Sequence, residues 1–140
     1  MSRIHELTER ILATTSGDYR SVVQLMIKCA CVIECHLESE GAHALSLARD
    51  YWNRSTFDKN SLDLARIAAW NYLDTRSAST DTSRPEFCAM RAVICVLHPD
   101  PPSEDTGELV EWFLQMIFGA TIETDAEDVA NALKSIIGGQ

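Results

Sequence analysis

The stretch KCACVIECH, residues 28–36, concentrates side chains that bind metals or act as nucleophiles. Thiolates and imidazoles are preferred zinc ligands. On a helix, Cys31 and Cys35 lie one turn apart, but Cys29 points nearly opposite to them, and His36 lies about 100° round from Cys35. These directions do not converge on one ion, and the chain has no CxxC pair. We therefore expect no metal and no cofactor, and we interpret the thiols as buried apolar side chains.

Catalytic motifs are missing from the sequence, which has no glycine-rich phosphate loop, no GxSxG and no HExxH. The histidines are dispersed over four segments, as His5, His36, His43 and His98. We expect no catalytic residues and no enzymatic activity. The alternative in this class is a metal-dependent enzyme that uses Cys31, Cys35 and His36, and bound zinc in elemental analysis would identify it.

Acidic residues dominate the C-terminal third of a chain whose net charge is −9. No Lys or Arg occurs between residues 92 and 133, whereas residues 1–91 hold 12 acidic and 11 basic residues. This charge argues against nucleic acid as a partner, because a duplex binder needs clustered cations to neutralise phosphates. It suits a basic protein, whose approach it would accelerate. The candidate partner-binding residues, presented by a proline-rich loop and the helix start after it, are Asp100, Glu104, Asp105, Glu108 and Glu111.

The alternative for these carboxylates is a solvated surface that interacts with helix dipoles. Asp125, Glu127 and Asp128 fall in a predicted first helical turn, where negative charge is favourable. Reversing the charge of two acidic residues distinguishes the alternatives, since long-range attraction acts mainly on the association rate.

The elements that position these residues are predicted to be helical throughout. Apolar periodicity and helix-ending residues indicate seven helices near residues 3–15, 19–38, 42–54, 59–76, 84–97, 106–119 and 125–137. Asp18 is a predicted N-cap, Ser83 with Glu86 has capping-box spacing, and Gly41 separates the second and third helices. No alternating strand pattern occurs. The expected fold is a compact all-α bundle that forms a single domain over residues 1–140.

Length and composition agree with a small cytoplasmic protein. The chain has 140 residues, of which 46% are hydrophobic, enough for one core. No stretch approaches the roughly 20 apolar residues of a membrane helix, so we expect no membrane partner. The start MSRIHELTER lacks the apolar run of a secretory signal, and five cysteines are an odd number for a disulfide framework. We expect reduced thiols and a cytoplasmic location.

Two segments share a Leu-Ala-Arg start followed by Trp: LARDYW at 47–52 and LARIAAW at 64–70. Nothing else recurs at this offset, so a repeat protein is rejected. We predict two amphipathic helices that meet a common core. We interpret Arg49 and Arg66 as residues that tie neighbouring helices together, with Asp63 placed to pair with Arg66.

The second and sixth helices are apolar around most of their circumference, as in SVVQLMIKCACVIEC and LVEWFLQMIF. Such a helix is central to the core or exposes a patch that a partner covers. The first arrangement is the commoner one in a seven-helix domain. In the second, Trp112, Phe113 and Phe118 would form the contact, and the chain would be a helical adaptor or chaperone that dimerises. Gel filtration at two concentrations would detect such a dimer.

Three runs of the chain resemble a known class of proteins: ALSLARDYW, SLDLARIAAWNYLDTRSAS and CAMRAVICVLHP. They are similar to helix pairs, followed by an Ala- and Arg-containing helix that ends in His, in small bacterial immunity proteins encoded beside polymorphic or contact-dependent toxins. The resemblance covers roughly residues 42–98. This chain departs from it at Val93, Ile94 and Val96, where such families often carry Ala.

The resemblance implies a protein that works by binding. It would occupy or distort the active site of a cognate toxin in the cytoplasm, and it would carry out no chemistry itself. Many bacterial toxin domains attack nucleic acid and are basic at the active site. An acidic inhibitor would imitate phosphate there and bind faster.

Overall fold

The computed structural model describes residues 3–16, 18–54, 59–76, 84–98, 106–121 and 126–138. Within these ranges the chain forms seven α-helices and one 3-10 helix, and no strand. The α-helices are α1 (Arg3–Thr15), α2 (Tyr19–Ala30), α3 (Ser39–Arg54), α4 (Lys59–Thr75), α5 (Pro85–Cys95), α6 (Thr106–Gly119) and α7 (Ala126–Gly138), and the 3-10 helix is Cys31–His36. The predicted all-α fold is confirmed.

The second predicted helix is too long. The α-helix ends at Ala30 and the chain continues as the 3-10 helix. A 3-10 segment is common at a helix end, and the β-branched pair Val32 and Ile33 weakens the α-helical preference there. The tighter winding keeps Ile33 in the core, 1% exposed, and leaves Cys31 at the surface.

Side-chain caps were predicted at the starts of α2 and α5, and the structure has the predicted cap only at α2. The Asp18 carboxylate accepts a hydrogen bond from the Ser21 backbone N–H at 3.1 Å and caps α2 as predicted. Hydrogen bonds from the Ser21 hydroxyl and backbone lower the pKa of Asp18. The capping-box prediction for α5 is wrong, because its N-cap is Arg84, which makes no side-chain cap bond. Pro85 begins this helix, and its fixed φ favours that position; Ser83 lies outside the described residues.

Gly41 lies inside the first turn of α3, and the prediction that it separates two helices is wrong. A Cβ at this position would lie 2.8 Å from Leu37 Cδ2 and 3.2 Å from Met90 Cε. A side chain here would require the ends of the Leu37 and Met90 side chains to shift, so glycine lets the start of α3 pack closely against the Leu37 segment and α5.

Helix α5 forms the centre of the core. All of its residues from Phe87 to Cys95 are buried, and α6, α4, α3, α2 and the 3-10 helix pack around it. Helices α2 and α6 each place most of their apolar residues in the same core. The two helices predicted to be apolar all round are thus mainly core helices. None of the described helices has the length and hydrophobicity needed to cross a membrane.

Candidate protein-binding surface

The C-terminal end of α5 is bound by side chains from three other helices. Three donors contact the carbonyl oxygens of the three residues that follow it: Trp52 Nε1 to Val96 at 3.1 Å, Arg66 Nη1 to Leu97 at 3.1 Å, and Tyr19 OH to His98 at 2.9 Å. Carbonyls just past a helix end have no helical partner, so these bonds satisfy groups that would otherwise be costly to bury. The two similar segments therefore each supply one donor, Trp52 from α3 and Arg66 from α4, to the same helix end.

The arginines of the two segments tie helices together, as predicted. Arg66 forms an ion pair with Asp63 at 2.9 Å in addition to its bond to the Leu97 carbonyl. The Arg49 guanidinium lies 3.7 Å from Cys31 Sγ and 3.8 Å from the Glu34 carboxylate, which joins α3 to the 3-10 helix. These arginines therefore serve the fold.

His98 lies half-buried beside this helix end. Burial lowers its pKa, the Arg66 guanidinium lowers it further, and Asp63 acts in the opposite direction. Because both leading effects disfavour the imidazolium, the neutral imidazole is the form that the folded protein prefers.

The predicted acidic site is described in part. Glu108 and Glu111 lie on the first two turns of α6, and Glu108 is exposed. The Glu111 carboxylate lies 3.7 Å from His5 Nδ1 on α1. Asp100, Glu104 and Asp105 lie outside the described residues.

Helix α7 carries two further carboxylates. Glu127 and Asp128 lie in its first turn, as predicted, and both are exposed. Glu127 forms an ion pair with Arg3 at 2.9 Å. The described carboxylates of the C-terminal third thus lie at the surface, and two of them face basic groups of α1.

Of the three aromatic residues of α6 that were predicted to form a dimer contact, only one is clearly exposed. Phe113 is fully buried, so it is wrong as a dimer contact, whereas Trp112 is 43% exposed. Phe118 is partly buried against the core, and the Arg3 guanidinium lies 5.7 Å from its ring centroid. The side that Phe113 occupies faces the core because α6 packs against both α5 and α1.

Three large apolar side chains are exposed on α4. Leu64 is 68% exposed, Ile67 54% and Trp70 39%, and Ala68 beside them is exposed as well. Leu64, Ile67 and Ala68 follow the i, i+3, i+4 spacing that places residues on one helix face. We call these four residues the α4 face. The signal was visible in the sequence, because Leu64 and Ile67 fall off the stripe that Leu62 and Ala69 define.

Trp70 lies at one edge of the α4 face, next to a buried cation. Arg91 of α5 is 6% exposed, and its guanidinium lies 5.8 Å from the Trp70 ring centroid. An arginine over an aromatic face is a favourable cation–π arrangement. One side of the Trp70 ring therefore contacts the Arg91 guanidinium, while part of the ring contacts solvent.

The cysteines are less uniform than predicted. Cys29, Cys88 and Cys95 are buried, and burial raises the pKa of Cys29 and of Cys95 to about 12. Cys31 is exposed, so the prediction of an inert buried thiol is wrong there, because it lies on the outer side of the 3-10 helix. The side chains of Cys35 and His36 lie outside the described residues. Among the side chains that are described, no three His, Cys, Asp or Glu groups are placed to hold a metal ion.

A charged cleft of about 410 Å³ lies between the end of α4 and the start of α5. Its arginine on the α4 side, Arg76, stacks 3.8 Å above the Tyr72 ring and lies 3.7 Å from the Glu38 carboxylate. The Tyr72 hydroxyl donates to Glu38 at 2.7 Å, and burial followed by this bond raises the pKa of Tyr72 to about 12. Arg84, across the cleft, lies 3.6 Å from the Glu86 carboxylate. The charged groups here hold each other and join α4 to the segment before α3.

Comparisons with protein-family models, with curated proteins and with solved structures find no match for this chain. The assignment of a functional surface therefore depends on its own residues. Two described features remain that the fold does not require: the exposed carboxylates of α6 and α7, and the α4 face.

Proposed function

We propose that this chain is an immunity protein that binds a cognate bacterial toxin in the cytoplasm and neutralises it without carrying out chemistry itself. The observation that carries the proposal is the excess of carboxylates in the C-terminal third. Glu108 and Asp128 are exposed there, in a segment with no Lys or Arg from residue 92 to residue 133. An excess of one charge sign accelerates association with a partner of the opposite sign.

The resemblance to small immunity proteins supports the same proposal. Its three runs fall on α3, α4 and α5, which pack against one another. Their distinctive Trp, Arg and His residues meet at the end of α5, where Trp52 and Arg66 bind carbonyls beside His98. The motif therefore describes one structural unit rather than three unrelated helices.

The first experiment tests toxin binding directly. The reading frame immediately upstream of this gene is expected to encode a large protein that ends in a toxin domain. That C-terminal domain is expressed from an inducible promoter in cells with and without the full-length chain. Survival that depends on the chain, together with co-purification of the two proteins, is the expected result. Undiminished killing with no complex would refute the proposal.

The second experiment tests the acidic surface. Glu104→Lys combined with Glu108→Lys should slow association with the toxin domain by about tenfold or more and flatten its salt dependence, because long-range attraction is screened by salt. Glu40→Lys combined with Asp50→Lys, which makes the same change in net charge on α3, is the control. Stopped-flow binding at low and high salt measures both. Equal rates for the two variants would show that the carboxylates form only a solvated surface.

A further inference from the structure

The α4 face is apolar although the opposite face of the same helix already packs against the core. Leu62, Ala69 and Leu73 are buried against the core, and Arg66 is directed toward the Leu97 carbonyl. Leu64 and Ile67 take no part in that packing, since each has more than half of its surface in solvent. The fractional exposures of these residues and Trp70 correspond to roughly 300 Å² of apolar surface, a size at which patches on monomers are often functional.

The composition of the α4 face is that of a protein-binding contact. Tryptophan is enriched among the residues that contribute most to binding, particularly when it is held rigidly in the free protein. In Trp70 one side of the ring contacts the buried Arg91 guanidinium, which favours this ring position in the free protein. Leu64 and Ile67 lie within two turns of it on the same helix.

Charge distinguishes between a second copy and a different protein as the occupant. Asp74 lies seven residues after Ile67 on the same side of α4, is exposed, and makes no ion pair within the described part of the chain. Asp63 lies at the other end of the face, with 42% of its side chain exposed and paired with Arg66 at 2.9 Å. In an antiparallel two-fold pairing of α4 with itself, Asp74 of one copy approaches the Asp63–Arg66 pair of the other. In a parallel pairing Asp74 faces its own equivalent, so both pairings place another carboxylate opposite Asp74.

The size of the α4 face also favours a different protein over a second copy. A stable complex buries about 800 Å² on each partner, which is more than twice what the α4 face offers. The remaining contact in a homodimer would bring together two copies that each carry a net charge of −9. A basic partner would instead complete the interface with opposite charges around the apolar contact.

We infer, on the basis of the function proposed above, that the α4 face is the docking surface for the toxin. The complementary site on the toxin is an apolar groove flanked by Lys or Arg residues that face Asp63 and Asp74. The acidic C-terminal third raises the association rate, and the α4 face slows dissociation.

The test combines a substitution on the α4 face with a matched control on α6. Leu64→Gln with Ile67→Gln removes apolar surface without changing the charge or lowering the helix propensity. It should weaken binding to the upstream toxin domain at least about 30-fold, the effect of losing contacts worth about 2 kcal/mol. The change should appear mainly in the dissociation rate. Trp112→Gln, which removes an exposed apolar residue from another helix, should bind as the unsubstituted chain does.

The outcomes separate this inference from the function on which it rests. If the unsubstituted chain neither binds the toxin domain nor protects cells, the proposed function and the docking surface both fail. If it protects cells and the α4 double variant binds with unchanged affinity, the docking surface alone is refuted. Sedimentation velocity provides the remaining test, since a dimer of the free chain that the double variant loses would assign the face to a second copy. Circular dichroism of both variants should match that of the unsubstituted chain, because every changed side chain is at least 43% exposed.

Discussion

Replacing Arg66 with alanine should destabilise the fold through the end of α5. The guanidinium donates to the Leu97 carbonyl at 3.1 Å and pairs with Asp63 at 2.9 Å, and 25% of the Arg66 side chain is exposed. Alanine removes both contacts and leaves the Leu97 carbonyl without its donor. It also removes a cation from a helix C-terminus, where positive charge is favourable.

The magnitude follows mainly from the carbonyl bond. A hydrogen bond from a charged donor contributes about 1.5–3 kcal/mol, and the pair with the 42%-exposed Asp63 carboxylate adds about 0.2–1 kcal/mol after screening. Arg66→Ala should therefore lower the free energy of unfolding by about 2–3 kcal/mol. At about 2–4 °C per kcal/mol for a domain near this size, the Tm should fall by about 4–12 °C.

Arg10 provides the matched control. It lies on α1 with half of its side chain exposed and contacts only the Glu6 carboxylate among the described residues, at 3.4 Å and i,i+4 spacing. Such a pair contributes about 0.3–0.5 kcal/mol, and Arg10→Ala should change the stability by no more than that. Tyr19→Phe removes a second donor, its hydroxyl at 2.9 Å from the His98 carbonyl, and should cost about 1 kcal/mol.

Urea unfolding followed by far-UV circular dichroism measures all three variants. The m-value should stay constant, so that the shift in midpoint reports stability. If the free energies of unfolding of Arg66→Ala and Arg10→Ala differ by less than about 0.5 kcal/mol, the contacts at the end of α5 do not stabilise the fold as argued. Equal stability of Tyr19→Phe and the unsubstituted chain would contradict the corresponding claim for His98.

Three further results are expected. Gly119→Ala should destabilise the protein by about 1–3 kcal/mol, since its Cβ would lie 2.8 Å from Cys88 Sγ; Cys88→Ala in the same chain should restore much of the loss, and thermal unfolding that shows no rescue would contradict this packing. Stability should fall as the pH drops below about 6.5, because His98 has a lowered pKa in the fold and the unfolded chain therefore binds more protons in that range; titration of His98→Gln should show a smaller fall, and an identical curve would refute this origin. Iodoacetamide at neutral pH should label exposed Cys31 well before buried Cys29 in peptide mapping, and equal labelling would contradict the assigned burial.

Much of the helical arrangement could be predicted because local signals determine it. Asp18 caps α2, Pro85 begins α5, and the buried residues Leu45, Ala48 and Trp52 follow the predicted face of α3. The predicted helix ends agree with the structure within three residues, except at the end of the second helix. Each of these features depends on residues close together in the chain, so an isolated sequence contains the required information.

The remaining features depend on tertiary packing. Arg91 is a charged residue that composition would place at the surface, yet it is 6% exposed because neighbouring helices surround α5 on every side. Cys31 is exposed because the chain changes to 3-10 winding there, and periodicity at 100° per residue cannot represent that change. The periodicity of α4 already placed Leu64 and Ile67 away from the stripe of Leu62 and Ala69, but their exposure also requires that no other helix cover them, and that depends on tertiary packing.

On α4 and its neighbours, different residues hold the fold and face solvent, and under the proposed function this separation would allow the inhibitor to change its partner. Two residues that carry the resemblance to immunity proteins, Trp52 and Arg66, donate hydrogen bonds to the carbonyls that follow α5. They are therefore unavailable to a toxin. The resemblance reflects a shared helix arrangement and does not indicate which toxin would be bound. Leu64 and Ile67 lie on the outer side of the same structural unit, where substitutions cost little stability because more than half of each side chain is in solvent. Under the proposed function, a new toxin would be matched by changing this outer surface while the contacts at the end of α5 keep the helix in place.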